Sequence, residues 1–191
     1  MASTSVADLT PDTRQLAEKL IAAAASQGIK TTIASTRRSC AEQGPAGMTA
    51  TVLGQPAHRA GFCRSWHVWG RAFDIFPVGV TTSSPSDPRW AILGALGESL
   101  GLVWGGKFNP PATEPWHFEY HPGMDPRTVC PDSALLSAAA CEAAVVAGNA
   151  KRPPVPGPPP APPEPNLAGQ ALAFAAGAAL GWWAAQRWRQ R

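Results

Sequence analysis

Hydrophobic and polar residues recur with two different periods along the first part of the chain, and these periods predict both helices and strands. Residues 10–28 (TPDTRQLAEKLIAAAASQG) have a Thr-Pro-Asp start and a terminal glycine, which together indicate a capped helix. Residues 29–35 (IKTTIAS) and 71–78 (RAFDIFPV) alternate and are rich in β-branched or aromatic residues, as strands are. Residues 86–101 run from Ser-Asp-Pro to a glycine and predict a second helix.

Shorter elements are predicted between and after these four. The polar, glycine-containing stretch 36–64 is interpreted as loops with one short helix at residues 40–43, and LVWGG (102–106) and WHFEY (116–120) as two short strands. A last helix is expected from near residue 132 to about residue 148. This mixed order of elements predicts an α+β fold with a small antiparallel sheet flanked by helices.

A change of composition divides the chain after residue 150. Prolines are concentrated in PPVPGPPPAPPEP, so residues 1–150 are predicted to form the folded domain and residues 151–166 a proline-rich linker. Residues 167–186 are predicted to form a single hydrophobic helix and residues 187–191 a basic tail.

The hydrophobic segment 167–186 has the length of a membrane-spanning helix. Gln170 is its only polar side chain before the final glutamine, and about 20 apolar residues span a bilayer core. Its alanine content leaves a soluble alanine-rich helix open as the alternative. Gly177 and Gly181 form a GxxxG pair, through which two such helices are expected to form a homodimer.

Charge argues against a nucleic-acid-binding protein. Residues 1–150 contain 11 Lys/Arg and 12 Asp/Glu, whereas residues 151–191 contain five Lys/Arg and Glu164 alone, so the excess positive charge lies in the tail. Arginines after a membrane span favour a cytoplasmic C-terminus and therefore a domain on the extracytoplasmic side. The first 12 residues contain no apolar run, and no secretory signal peptide is seen.

The four cysteines at positions 40, 63, 130 and 141 lack the CxxC spacing of a zinc ribbon or a redox motif. Two interpretations stay open: four buried thiols, or two disulfides in an oxidising compartment.

Candidate metal ligands occur in two motifs, SWHVWGRAFD (65–74) and EPWHFEY (114–120). A catalytic zinc site needs three protein ligands and one open position, and His67, Asp74 and His117 supply them if the strands at Asp74 and His117 are adjacent. Glu114 fits the general base better than Glu119, which is the second choice or a partner that orients His117. A ligand pair of His117 with His121 would need a helix, which the strand-like pattern argues against.

Together these motifs resemble the M15 family of zinc peptidoglycan peptidases, which includes D,D-dipeptidases, D,D-carboxypeptidases and phage L-alanyl-D-glutamate endopeptidases. TRRSCAEQ (36–43) is similar to the family's upstream Arg-Ser-x-x-x-Gln element, and GLVWGG to a segment of its endolysin branch. The resemblance covers roughly residues 10–125 and implies the small fold shared with hedgehog-type domains. Lys107 departs from the pattern, since relatives often have an acidic or amide residue there.

The resemblance also implies a role for each residue of the site. It implies that His67, Asp74 and His117 bind Zn²⁺, that Glu114 is the general base and later the acid, and that Arg38 stabilises the oxyanion. Further support would come from Ser65, by hydrogen bonding, and from Gln43.

The expected activity is hydrolysis of the peptidoglycan stem peptide, with an endopeptidase favoured over a D-Ala-D-Ala carboxypeptidase. The alternatives are a membrane-anchored, non-catalytic zinc module that binds wall peptides, and an assembly protein that acts through its anchored tail.

Overall fold

A computed structural model describes residues 2–44, 49–52, 55–58, 61–82, 84, 86–109 and 112–150 of the chain. The described residues all lie in one compact unit, residues 1–159. The predicted linker, hydrophobic helix and basic tail, together with the Gly177/Gly181 pair, lie outside the described residues. Among the residues that are described, no helix is long and apolar enough to cross a membrane.

Five α-helices and six β-strands make up the described regular structure, with short 3-10 turns between them. The helices are α1 Pro11–Ser26, α2 Cys40–Gln43, α3 Pro88–Ser99, α4 Pro126–Val129 and α5 Ala138–Ala150. The strands are β1 Thr31–Ser35, β2 Thr49–Val52, β3 Gln55–His58, β4 Ala72–Pro77, β5 Val103–Trp104 and β6 His117–Glu119.

A four-stranded antiparallel sheet in the order β1-β4-β6-β5 is the centre of the domain. Every residue of β4 is buried, because this strand has neighbours on both edges and packed side chains on both faces. The prediction of an α+β fold with a small antiparallel sheet is confirmed.

The two faces of the sheet contact different clusters of side chains. Phe73 and Phe118 stack at a centroid distance of 5.8 Å on the face that α1 and α3 cover with Leu16, Leu20 and Leu93. Side chains at alternate positions of a strand point to opposite faces, so Asp74 and His117 point away from this cluster.

A second hydrophobic cluster contains Trp66, Trp69 and all four cysteines. The cysteines form two disulfides, Cys40–Cys141 with Cα atoms 5.9 Å apart and Cys63–Cys130 with Cα atoms 5.7 Å apart. Of the two interpretations left open by the sequence, the structure therefore contains the two disulfides and not four buried thiols. Both bonds join the chain that precedes the candidate site to the C-terminal elements.

The loop interpretation of residues 36–64 is wrong in one part. Strands β2 and β3 pair as an antiparallel hairpin, with Thr49 opposite His58, so only the short helix in this stretch was anticipated. The last helix was also placed too early, because Asp132–Leu135 forms a separate 3-10 turn before α5 begins.

Candidate metal centre

A tight turn presents His67 to the sheet. The amide of Val68 donates to the carbonyl of Ser65 at 3.1 Å, and the amide of Gly70 donates to the carbonyl of His67 at 3.1 Å. Gly70 has φ +67°, a conformation that L side chains rarely adopt, and a Cβ there would lie 3.2 Å from the carbonyl oxygen of Asp8. The turn before Asp74 therefore depends on this glycine.

Asp74 and His117 are directly opposite each other on the neighbouring strands β4 and β6. The Nδ1 atom of His117 lies 3.0 Å from Oδ1 of Asp74, and the adjacency of strands that the sequence required is confirmed. Both residues are buried, with 1% exposure for Asp74 and 6% for His117.

Three ligand atoms converge at one point: Nε2 of His67, Oδ1 of Asp74 and Nδ1 of His117. The His67–His117 distance is 3.2 Å and the His67–Asp74 distance is 3.4 Å. Ligands bound tetrahedrally to zinc at about 2.0–2.1 Å are separated from one another by about 3.3 Å. The spacing of these atoms therefore matches the edges of a metal coordination polyhedron.

The opposite nitrogen of each ring has its own acceptor. Nδ1 of His67 donates to the carbonyl of Thr36 at 2.6 Å, and Nε2 of His117 donates to Oε1 of Glu119 at 2.9 Å. In its neutral form each ring would direct the lone pair of its other nitrogen inward, beside the Asp74 oxygen. Two imidazole nitrogens and one carboxylate oxygen at these separations fit a divalent metal ion.

Burial and mutual hydrogen bonds shift the pKa of each of the three residues. Burial lowers the pKa of His67. Burial alone would also lower the pKa of His117, but hydrogen bonds to Asp74 and Glu119 outweigh it and raise the pKa to about 10. For Asp74, burial is outweighed by the two histidines, and its pKa lies well below the usual range.

Arg38 lies beside the ligand carboxylate. Its Nη2 donates to Oδ2 of Asp74 at 3.1 Å, and its Nε donates to Oγ of Ser35 at 3.2 Å. The two oxygens of Asp74 are thus divided, one facing the histidines and the other facing the guanidinium. The side chain of Arg38 is 15% exposed, so this ion pair is largely shielded from solvent.

Glu114 is placed by the turn that leads into β6. The amide of His117 donates to the carbonyl of Glu114 at 3.0 Å, and the amide of Glu114 donates to the carbonyl of Gly105 at 3.0 Å. A Cβ at Gly105 would lie 2.5 Å from the carbonyl oxygen of Glu114, so the WGG segment needs a glycine here. Burial raises the pKa of Glu114, which also senses the charges of His117 and Asp74.

Glu119 contacts two imidazoles. Its Oε1 accepts from His117 and its Oε2 accepts from Nε2 of His121 at 2.8 Å. Both histidines hold its pKa at about 2 although burial would raise it. These contacts are those expected of a partner that orients His117, and the general-base alternative for Glu119 stays a prediction.

Two further residues of the sequence prediction, Gln43 and Ser65, are not among the three converging ligands. Gln43 is buried at the end of α2, with 1% exposure. The carbonyl of Ser65 accepts in the His67 turn, and among the described residues its hydroxyl makes no hydrogen bond to His67, Asp74 or His117.

The sequence did not identify three contributors, namely the carbonyl of Thr36, the ring of Trp66 and His121. A main-chain carbonyl leaves no sequence signal. For His121, however, the two-residue period of an extended chain puts positions 117, 119 and 121 on one side. The sequence alone could therefore have placed His121 beside Glu119.

Comparisons with known proteins agree with the motifs. Residues 58–120 match the M15 peptidase family model described as D-alanyl-D-alanine carboxypeptidase. No curated protein sequence matches the chain.

Two solved structures are similar. The first is the L-Ala D-Glu endopeptidase ChiX of Serratia marcescens, with TM-score 0.43 and 17% identity over 63% of this chain and 90% of that chain. The second is the D,D-pentapeptidase VanY of a VanB-type resistance cassette in complex with Zn(II), with TM-score 0.43 and 19% identity over 59% of this chain and 72% of that chain. Residues 58–120, which contain Glu114 and all three converging ligands, are the part of the chain that matches the M15 peptidases.

Proposed function

We propose that this protein is a zinc-dependent peptidase that hydrolyses peptide bonds in the stem peptide of peptidoglycan. The convergence of His67 Nε2, Asp74 Oδ1 and His117 Nδ1, with separations of 3.0 to 3.4 Å, is the observation on which this proposal rests.

Zinc is the metal that this donor set favours. Two imidazoles and one carboxylate make a three-ligand site of the catalytic type, with a fourth position for water or substrate. A bound zinc ion supplies the Lewis acidity that makes water nucleophilic near neutral pH and polarises a carbonyl group.

Glu114 is the residue we assign to proton transfer. Its carboxylate is near enough to Asp74 and His117 to sense their charges, yet it makes no ion pair with any described residue. It accepts the proton of the attacking water and then gives that proton to the departing amine, as a positioned carboxylate can do.

Arg38 has two functions in this proposal. One N–H of the guanidinium keeps Asp74 in its ligand orientation, and the N–H groups that bind neither Asp74 nor Ser35 are the donors we assign to the tetrahedral oxyanion.

The stem peptide of peptidoglycan is the substrate class that the family description favours, because that description names a D-alanyl-D-alanine carboxypeptidase. Between the two bond types we propose an endopeptidase, because GLVWGG resembles the endolysin branch. In this structure the WGG turn holds Glu114 in place.

An extracytoplasmic site of action fits the two disulfides, which persist in oxidising compartments. We propose that residues 167–186 anchor the domain to the membrane and pair through Gly177 and Gly181. The linker, at about 3.1 Å per residue, would then let the domain reach on the order of 40 Å.

The test is metal analysis of the purified full-length chain together with mass spectrometry of purified peptidoglycan after digestion. We expect one zinc per chain and new free termini, and their identity distinguishes L-Ala–D-Glu from D-Ala–D-Ala cleavage. His117→Ala should lose both zinc and activity, and a chelator should abolish cleavage until zinc is returned. One zinc without cleavage of several wall types would contradict hydrolysis and favour the binding module.

A further inference from the structure

We infer that His121 is a positioning residue for the metal site, which acts through Glu119 on the ligand His117. The inference rests on the proposed metal site but concerns a residue with no place in the proposed reaction.

The connection is a continuous chain of hydrogen bonds. His117 Nε2 and Glu119 Oε1 are 2.9 Å apart, and Glu119 Oε2 and His121 Nε2 are 2.8 Å apart. Each oxygen of one carboxylate therefore has its own imidazole, and Glu119 cannot rotate away from His117 without breaking its bond to His121.

His121 is itself held on two further sides. Its ring stacks on the indole of Trp66, with centroids 4.4 Å apart and planes inclined by 9°, and its Nδ1 lies 3.2 Å from the carbonyl of Met124. Trp66 is 4% exposed and directly precedes the ligand His67. The ring of His121 is thus fixed against the same turn that presents another ligand.

Such an arrangement fixes which nitrogen of His117 faces the metal. With Nε2–H bound to Glu119, the lone pair on Nδ1 is directed at the site, and partners of this kind typically raise metal affinity 10- to 100-fold. Loss of His121 leaves one oxygen of Glu119 without its donor, so the carboxylate and the His117 ring can reorient.

The experiment measures zinc affinity of the full-length protein by competition with a chromophoric chelator. His121→Phe keeps a ring to stack on Trp66 but removes both nitrogens, whereas His121→Gln keeps a donor for Glu119. His121→Leu is measured in parallel, so that the result does not depend on one variant folding. Near-ultraviolet circular dichroism checks that the tryptophan environment is retained.

We expect His121→Phe and His121→Leu to weaken zinc binding by about 10-fold or more, and His121→Gln to stay within about threefold of the unmodified protein. In a Glu119→Ala background the same substitutions should change affinity by less than about twofold, because the connection is already broken. Excess zinc should restore most hydrolysis to His121→Phe, since Glu114 is untouched.

Unchanged zinc affinity in folded His121→Phe or His121→Leu would overturn the inference, as would an equal loss with and without Glu119. Hydrolysis is assayed separately. Zinc binding that depends on His121 without any cleavage would support the positioning role and contradict only the proposed reaction. An unmodified chain that binds no zinc would contradict both.

Discussion

Arg38 and Asp74 form an ion pair in which Nη2 of the arginine lies 3.1 Å from Oδ2 of the aspartate, while Oδ1 of the same carboxylate faces His117 at 3.0 Å. The carboxylate is thus held from two sides, and its metal-binding oxygen is selected by the guanidinium.

Replacing Arg38 should therefore affect both the metal and the reaction. For Arg38→Ala we expect kcat/KM for stem-peptide cleavage to fall by about 10²- to 10³-fold, because one oxyanion donor and the orientation of Asp74 are lost together. Arg37→Ala is the matched control, since Arg37 is 47% exposed and pairs only loosely with Glu142 at 3.8 Å. Equal activity of the two variants would exclude Arg38 from the site.

Glu114→Gln should separate metal binding from catalysis. The amide keeps the size of the side chain but cannot accept a proton, so we expect stoichiometric zinc and a loss of kcat of about 10²- to 10⁴-fold. Zinc content and single-substrate kinetics measure this, with Glu18→Gln on the exposed face of α1 as control. Retained turnover would assign the base role to another group, Glu119 first.

Asp12 makes the stability of the domain depend on pH. Burial opposes ionisation of Asp12, but hydrogen bonds from Thr10 and from Arg71, whose Nη1 lies 2.9 Å away, lower its pKa below the usual value. A carboxyl with a lowered folded pKa stabilises the fold above its unfolded pKa of about 3.9, and this contribution is lost as pH falls through the folded value.

For Asp12→Asn we expect a loss of about 2 kcal/mol in the free energy of unfolding at pH 7, because the buried Arg71 loses its charged partner. The difference from the unmodified protein should shrink at pH 3. Urea unfolding at both pH values, with chelator present, measures this. Asp132→Asn, at a side chain 93% exposed, should change stability by less than about 1 kcal/mol. An equal loss at pH 7 and pH 3 would show that Asp12 acts through packing instead.

Removal of one disulfide should destabilise the domain without unfolding the sheet. The Cys40–Cys141 bond closes 101 residues, and its loss in the Cys40→Ser/Cys141→Ser variant should cost about 2–5 kcal/mol of unfolding free energy. Chemical denaturation measures the loss, and a thiol reagent checks that Cys63–Cys130 remains closed. Unchanged stability would mean that packing of α5 alone holds this end of the chain.

Much of the sheet and the ligand set was predictable because the relevant signals are local. Alternation along the chain and short apolar runs identified the strands that contain Asp74 and His117. The hairpin of β2 and β3 was missed because β3, QPAH, begins with a Gln-Pro pair that follows a glycine, a sequence more typical of a loop.

Other features depend on tertiary structure and leave little trace in one sequence. The pairing of four cysteines has three possible connectivities, and only the fold selects one. One oxygen of Asp74 contacts Arg38 and the other contacts His117 because β1 and β6 lie on either side of β4. His121 was predictable in principle, but only if the strand period was continued past Glu119.

The Cys40–Cys141 bond affects how the protein responds to proteolysis. The metal ligands and Glu114 all lie between the two linked positions, and Arg38 lies two residues before the first. A single backbone cut anywhere between Cys40 and Cys141 therefore leaves two pieces that remain covalently joined. We expect such a nicked chain to keep its site assembled for as long as its surroundings stay oxidising.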